Sequence, residues 1–485
     1  MIYLVQVDYS MFHSQNNVPI GLLNVGSALK NSGHDVKILH CTETELPAAA
    51  DEIARNKPLW VGLSVMTGPQ TMHSAWLSKL IRERSEEIPI VWGGPHPSLL
   101  PAECLREDYI DIVVVGEGED TAVELSERLA DRKPLADVMG IAYKTAGNGE
   151  AKPVVNPRRP FIKDLDADKY RLNFELLDVP RYFICGGRGK YQRMFSYKAS
   201  RGCPYSCGFC YNNEFNKRKW RAKSAEAVIE DLLYLKNKYS VDAIDFYDDE
   251  FYINRSRALK ILEAIDLPSK TDIRIDMITE ELAPRLKELK VFHLLVGIES
   301  GSDRILKKIN KGITVDQIKE GVLILAKHDI RCVYSAIIGM PTETTEELNA
   351  TLDLILWIHS VHKRIIVTVG PYLPYPGTAL YNWTIEHGFI PPQRMEDWGS
   401  IDRWSKDLRL PWVKSSYYYY IREYMKFFNY NVALLSKVAE FRLKHRLIGL
   451  PVDAALINFL YHRAMDDRSL IGKAIRRVHK VVSEV

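Results

Sequence analysis

The chain predicts an α/β protein built in four successive parts, and three observations carry that prediction. Over residues 1 to about 140, short apolar runs alternate with helix-period stretches, the pattern of a doubly wound parallel sheet covered on both faces. Over about 196–380 the alternation resumes with six strand–helix units, short of the eight that close a barrel, so a partial (β/α)6 barrel with a lateral opening is expected. After 381 the alternation stops, and residues 381–485 read as a helical, aromatic and basic C-terminal cap. Residues 141–195, rich in turns and prolines, read as a connector.

The first part takes its strands from Ile2–Val7, Asp35–Leu39, Trp60–Ser64, Ile88–Trp92 and Ile112–Val115. Helical periodicity falls at Gly21–Ser32, Ala49–Asn56, Thr71–Arg84, Pro101–Glu107 and Asp120–Leu129. Ligands of such sheets sit at the carboxyl ends of the strands. Four loops there are unusual: Val18 to Gly21 (P-x-G), Ser64 to Thr67 (S-x-x-T), Gly93, Gly94 and His96 (G-G-x-H), and Gly116, Glu117, Gly118 and Glu119 (G-E-G-E). Glycine lets a ligand approach the backbone, and the helix start that follows favours phosphate. The plainer reading makes His96 a packed loop residue and the two glutamates solvated charges at a helix start.

In the connector, Gly140–Lys144 and Lys152–Val155 flank a turn-rich stretch and read as a hairpin. In the barrel, Ser224 reads as an N-cap before Val228, Leu232 and Leu235, and Thr344 with Glu347 as a capping box before Leu348, Leu352 and Leu356. Its strands read as one feeding the loop at 201–210, then Ala243–Tyr247, Ile273–Asp276, His293–Ile298, Val333–Ile338 and Ile365–Val369.

Composition excludes several classes. A hydrophobic fraction of 46% and a charged fraction of 26% over 485 residues are those of a globular protein, and a net charge of +3 argues against nucleic acid as a partner. The N-terminal stretch reads as a buried strand rather than a signal peptide, and no run of roughly 18 apolar residues occurs, so a cytoplasmic protein without a transmembrane segment is expected.

The chemistry concentrates in Arg201 to Cys210. Cys203, Cys207 and Cys210, three of the seven cysteines, form C-x3-C-x2-C. Thiolates this close can turn onto one soft metal centre. A four-iron cluster wants four ligands; three would leave one iron open to a small chelator. A structural zinc site would need a fourth donor, for which Cys185 and Cys332 are candidates. A disulfide has no oxidising compartment to favour it.

The cysteine spacing, with Phe209 before the last cysteine, resembles the signature loop of the radical S-adenosylmethionine superfamily. That resemblance implies a [4Fe-4S] cluster on Cys203, Cys207 and Cys210, whose open iron binds S-adenosylmethionine. An electron, from a donor such as flavodoxin or ferredoxin, then cleaves it to a 5′-deoxyadenosyl radical. By the same resemblance Asp248, Asp249 and Glu250 stand where a Gly-Gly-Glu-like motif receives the ammonium group, although the first two positions depart from it. Glu299 and Ser300 stand at a ribose-contacting position, with a salt bridge from Glu299 to Arg304 as the plainer alternative. Gly339, within Ile337–Pro341, stands alongside adenine, and Tyr372 and Tyr375 near the substrate.

The four ordered loops of the first part, with Ser64, Thr67, Gly93, Gly94, His96, Gly116, Glu117 and Gly118, resemble the cobalamin-binding domain at the front of one radical S-adenosylmethionine class. The D-x-H-x-x-G motif that would place a histidine beneath cobalt is missing: Asp8 and His13 have the wrong spacing. The class implied is the cobalamin-dependent enzymes, most of which methylate unreactive carbon or phosphorus, acting here on a small-molecule or lipid substrate. The rivals are a ring-forming cyclase of the porphyrin-ester type and a cobalamin- or redox-sensing binding protein. The aromatic stretch from Tyr417 to Tyr430, followed by Arg442, Lys444, His445 and Arg446, reads as a helix over the barrel mouth, or as an apolar pocket with peripheral contact to anionic lipid.

Overall fold

The computed structural model describes residues 1–8, 17–145, 152–186, 189–402, 410–413, 420–421, 423–425 and 433–448. His13 and most of the aromatic stretch lie outside them.

Two seven-stranded sheets organise the chain. The first orders its strands β2 (Val36–Thr42), β1 (Ile2–Asp8), β3 (Val61–Ser64), β4 (Ile90–Gly93), β5 (Ile112–Val114), β6 (Ile141–Thr145) and β7 (Lys152–Val155). The first five are parallel, and the β6–β7 hairpin adds antiparallel to β5. Ile2 to Val5 and Val7 of β1 are almost fully buried, with the exception of Gln6 between them, as befits a strand covered on both faces. The chain order reverses between β1 and β3, so the loops with unusual composition border the crevice where such sheets take ligands.

The second sheet orders β16 (Ile365–Pro371), β15 (Cys332–Ile338), β14 (Val291–Glu299), β13 (Ser269–Asp272), β12 (Ala243–Phe246), β9 (Tyr191–Tyr197) and β8 (Ile184–Gly186). Six are parallel, and β8 pairs antiparallel with β9. Two short strands, β10 (Ser200–Arg201) and β11 (Arg221–Ala222), pair with each other and enclose the cysteine loop. One expected strand is displaced. The apolar alternation of Ile273 and Ile275 suggested β13 at Ile273–Asp276, but those residues follow the strand and turn as a 3-10 helix, Ile275–Met277. The strand is the polar Ser269–Asp272, which buries Ser269 and Thr271 on one face and leaves Lys270 and Asp272 half-buried on the other.

The expected helix caps form: the Ser224 hydroxyl accepts from the Ala227 N–H, and Thr344 and Glu347 close a capping box on the helix Thr345–Val361. Val228, Leu232, Leu235, Leu348 and Leu352 are buried beneath these helices. The helix Ala433–Lys444 lies on the flank of Thr345–Val361, and Arg446 bonds Asp353 at 2.6 Å. Among the described residues no helix is long and apolar enough to cross a membrane.

After β16 the chain returns to the first sheet. Phe389, Met395, Trp398 and Ile401 join the core formed by β1, β3, β4 and the helix Pro69–Arg84, and the Met395 N–H donates to Glu107 at 3.0 Å. Trp398→Ala is expected to lower stability by about 3–5 kcal/mol, the cost of emptying a buried aromatic site. Equilibrium denaturation measures this; an unchanged midpoint would show that the return segment is only laid on the surface.

Candidate functional site

The cysteine loop leaves β9 and is held on every side. The Gly208 N–H donates to Ile309 O at 2.7 Å, and its carbonyl accepts from Leu380 N at 3.1 Å. The Cys210 N–H closes a turn on Cys207 O at 3.0 Å, and the Asn213 amide donates to the same oxygen at 2.7 Å. Gly202 has φ +81, and a Cβ there would stand 2.1 Å from Lys219 O, so only glycine fits where the loop folds back.

The donor set fits a cluster. All seven cysteines are free, and among the described residues no three His, Cys, Asp or Glu side chains converge on one ion. A cluster takes its thiolates on separate irons, and Cys203, Cys207 and Cys210, free on one loop, supply three of them. Cys185 is exposed on β8 and Cys332 is buried at the start of β15, the end of the barrel away from the loop, so neither completes a fourth position. Burial pushes the Cys203 thiol up to about 11 and Cys210 to about 12. Metal binding therefore has to displace their protons.

The carboxylates after β12 hold backbone. Asp248 accepts from Ala199 N at 3.0 Å and from the Ser200 hydroxyl; Asp249 accepts from Gly202 N at 2.9 Å and pairs with Lys198 at 3.1 Å. Glu250 accepts from Tyr252 N at 3.2 Å and Arg274 N at 3.0 Å. Burial pushes Asp248 up to about 6 and Glu250 to about 7. Asp248 and Asp249 thus fix the entrance of the cysteine loop, and Glu250 ties its own turn to the backbone at Arg274. Glu299, at φ +58 beside a bulge in β14, bonds Lys311 at 2.6 Å. The alternative partner, Arg304, instead grips Glu347. Ser300 is fully buried against Thr351 at 3.2 Å. Gly339 has φ +77, and its carbonyl accepts from the Trp412 indole at 2.8 Å.

Arg274 and Lys311 were not singled out in the sequence. The Arg274 guanidinium lies 3.8 Å over the Tyr205 ring, 4.0 Å from Cys207 Sγ, and donates to Lys311 O at 3.0 Å. Arg274 is also paired with Asp276 at 3.0 Å, as Lys311 is with Glu299, so two ion pairs flank the loop and Arg274 reaches the Cys207 sulfur from one of them. Placing β13 at Ser269–Asp272 would have revealed Arg274 just past a strand's carboxyl end, where barrel sites are built. Phe209, together with Ser335, Ile337, Thr368, Gly370 and Tyr372, borders a cavity of about 230 Å³ at the ends of β15 and β16; Tyr375 also lines it.

In the first sheet, Thr67 Oγ1 and His96 Nδ1 are 2.9 Å apart, joining two of the four loops. His96 is fully buried, edge-on to Trp398 at 5.1 Å, and burial lowers its imidazole to about 3, so it is neutral. Gly94 has φ +96, and a Cβ there would meet Val65 O at 3.0 Å, with Ser64 Oγ at 3.4 Å. Gly93 and Gly118 lie against Val114, and Gly116 faces the Arg158 guanidinium.

Glu117 and Glu119 bind the two halves of the molecule together. Arg201, the first basic residue of the cysteine loop, reaches Glu117 at 2.8 Å, Glu119 at 2.6 Å and Asn24 Oδ1 at 3.0 Å. Arg221, its neighbour across β10–β11, reaches the same Glu117 oxygen at 2.6 Å. Burial alone would raise the Glu117 carboxyl; the Arg201 and Arg221 charges outweigh it and hold the group below its ordinary value. This stabilisation is complete above that ordinary value and is lost as pH falls through the lower folded one.

Residues 197–355 match the family model of the Radical SAM superfamily, and residues 14–126 that of the B12 binding domain. An uncharacterized methyltransferase of Pyrococcus horikoshii is 32% identical over 394 residues, 79% of this chain and 82% of that protein. The anaerobic magnesium-protoporphyrin IX monomethyl ester cyclase of Synechocystis is 28% identical over 330 residues, covering 64% of this chain and 62% of that protein. The structure of the radical S-adenosylmethionine methyltransferase TsrM from Kitasatospora setae, with cobalamin and a [4Fe-4S] cluster bound, shares the fold at a TM-score of 0.62 and 18% identity, over 80% of this chain and 75% of that one.

Glu117→Gln is expected to cost about 1.5–3 kcal/mol, because it removes the charge from hydrogen bonds to two half-buried guanidinium groups while Arg201 keeps Glu119. Glu347→Gln, which breaks the more exposed pair to Arg304, is expected to cost about 1 kcal/mol or less. Denaturation of the two variants compares them; equal losses would contradict a special role for the Glu117 link.

Proposed function

Because the chain belongs to the radical SAM superfamily enzymes that carry a B12-binding domain, we propose that it is a cobalamin-dependent radical S-adenosylmethionine methyltransferase acting on an unactivated carbon centre. The observation that carries this reading is the set of bonds from Arg201 to Glu117 and Glu119, which sets the three-cysteine loop directly against the ligand loops of the first sheet. When bound, the cofactors supply a reducible cluster, a cleavable sulfonium and a methyl carrier.

The chain's own residues then have separable tasks. Cys203, Cys207 and Cys210 hold three irons and leave the fourth for the amine and carboxylate of S-adenosylmethionine. Asp248, Asp249 and Glu250 fix the backbone around that loop, and Asp249, with the largest remaining access of the three, is the one to receive the ammonium group. Glu299, Ser300 and Gly339 form the wall along the nucleoside, and Phe209 excludes water from the cavity at β15 and β16. Gly93, Gly94, Gly116 and Gly118 let cobalamin approach the backbone. Ser64 and Thr67 offer it hydroxyls, with neutral His96 orienting Thr67.

The partners are a small-molecule or lipid substrate and a one-electron donor of the flavodoxin or ferredoxin kind. The free cysteines suit the reducing cytoplasm. Similarity to the cyclase supports a second reading, ring formation without methyl transfer.

Turnover with methyl-labelled S-adenosylmethionine is expected to put label into product and to release S-adenosylhomocysteine together with 5′-deoxyadenosine. Cys203→Ala is expected to abolish both deoxyadenosine and product. Product formed with deoxyadenosine but without label or S-adenosylhomocysteine would select the cyclase reading instead.

A further inference from the structure

The inner face of the half-barrel carries a charged row that the tasks above leave unused. Strand register sets Ser196 of β9 beside Asp245 of β12, Asp245 beside Lys270 of β13, and Lys270 beside His293 of β14. Side chains paired across neighbouring strands share a face, and alternate residues take the other. The alternates Phe195, Ile244, Phe246 and Leu294 all belong to the core beneath the helices, so the row faces the lumen.

Within that row Lys270 is committed: its Nζ lies 3.0 Å from Asp245 Oδ2. Asp272, two residues further along β13 and on the same face, has no hydrogen-bond or ion-pair partner among the described residues. Burial pushes its carboxyl up to about 8, with Lys270 pulling it down. Ser196, 2% exposed, and His293 each bury a polar atom, Oγ and Nε2, that no protein group meets. Burial, with help from Arg331 and Lys270, lowers His293 to about 4, so it presents a neutral ring. Buried polar groups are normally satisfied, and several left unmet on one wall mark a place where a ligand supplies the partners.

The row opens toward the first sheet. Tyr247, just past β12, is 43% exposed, donates to Asn17 Oδ1 at 3.3 Å, and has its ring 5.6 Å from Lys270 Nζ. On β15 and β16 of the same sheet, the cavity bordered by Phe209, Ile337 and Val369 offers apolar surface.

We propose that the half-barrel lumen is the substrate pocket and that it selects a small amphiphile with a cationic nitrogen, an ammonium or amidinium group. Asp272 receives that nitrogen beside the Asp245–Lys270 pair, while the apolar body lies along Phe209, Ile337 and Val369. Burial keeps the empty Asp272 carboxyl protonated near neutral pH, and a cationic nitrogen seated beside it draws out the carboxylate form, so ammonium binding is coupled to release of the Asp272 proton. A wholly apolar lipid leaves Asp272, Ser196 and His293 unmet. The inference rests on the methyltransferase reading for its chemistry, but not for its test.

The test is equilibrium binding, without turnover, to the anaerobically reconstituted full-length protein, using 2-phenylethylammonium and its neutral isostere 2-phenylethanol as probes. The ammonium probe is expected to bind about tenfold or more tightly, the gain of one charge-assisted contact. Asp272→Asn is expected to shrink that ratio to about twofold while S-adenosylmethionine binding stays within about twofold of the parent. Lys270→Gln, which frees Asp245, is expected to keep or strengthen ammonium binding. A wild-type protein that does not distinguish the probes, whether it binds both or neither, overturns the proposal. So does an Asp272→Asn protein that loses S-adenosylmethionine affinity in parallel, which would assign the carboxylate to that molecule, or a Lys270→Gln protein with weakened ammonium binding.

Discussion

The half-buried contact of Arg201 with Glu117 and Glu119 is the constraint on which the rest of the arrangement depends. A guanidinium partly withdrawn from water is best matched by charge, and its planar fork donates to two carboxylates at fixed angles. Because Arg201 opens the cysteine loop and the glutamates close the β5 loop of the first sheet, the match fixes two sites at once. Arg221 shares Glu117 from the far side of the same loop, so both ends of the loop are tied to one oxygen. Asn24 on the helix after β1 adds a neutral contact to Arg201. A hinge between two independently folded sheets would leave cofactor separation to chance; this network makes it a property of the sequence.

Acidic residues that looked like ligand contacts mostly serve this frame. Asp248 and Asp249 accept backbone N–H groups at Ala199 and Gly202, and Glu250 does the same at Tyr252 and Arg274. Such carboxylates rigidify a loop that has little regular structure of its own, and preorganised surroundings are what hold reacting groups in line. Asp272, without a hydrogen-bond or ion-pair partner among the described residues, stands at the end of β13, two residues before Arg274 and its contact with Cys207.

Much of this was legible in the chain. The strand–helix alternation located both sheets because buried parallel strands read as apolar runs, and the caps at Ser224 and Thr344 marked helix starts through local hydrogen bonding alone. The cysteine loop was legible because its spacing is itself the chemistry. What was not legible depends on partners distant in sequence. Glu117 pairs with residues 84 and 104 positions away, and nothing local distinguishes it from a solvated helix-start glutamate. The β13 strand was misplaced because a strand facing a polar lumen lacks the apolar run that marks the others, and the same error hid Asp272 and Arg274.

One ion-pair network, Arg201 and Arg221 on Glu117 and Glu119, gives the two cofactors a single fixed separation. Pulsed dipolar EPR between cob(II)alamin and the reduced cluster in the reconstituted protein measures that separation directly. A single narrow distance distribution, unchanged when S-adenosylmethionine is added, is the predicted result. A broad or two-population distribution would contradict it, by showing that the two sheets move against each other despite Arg201, Glu117 and Glu119.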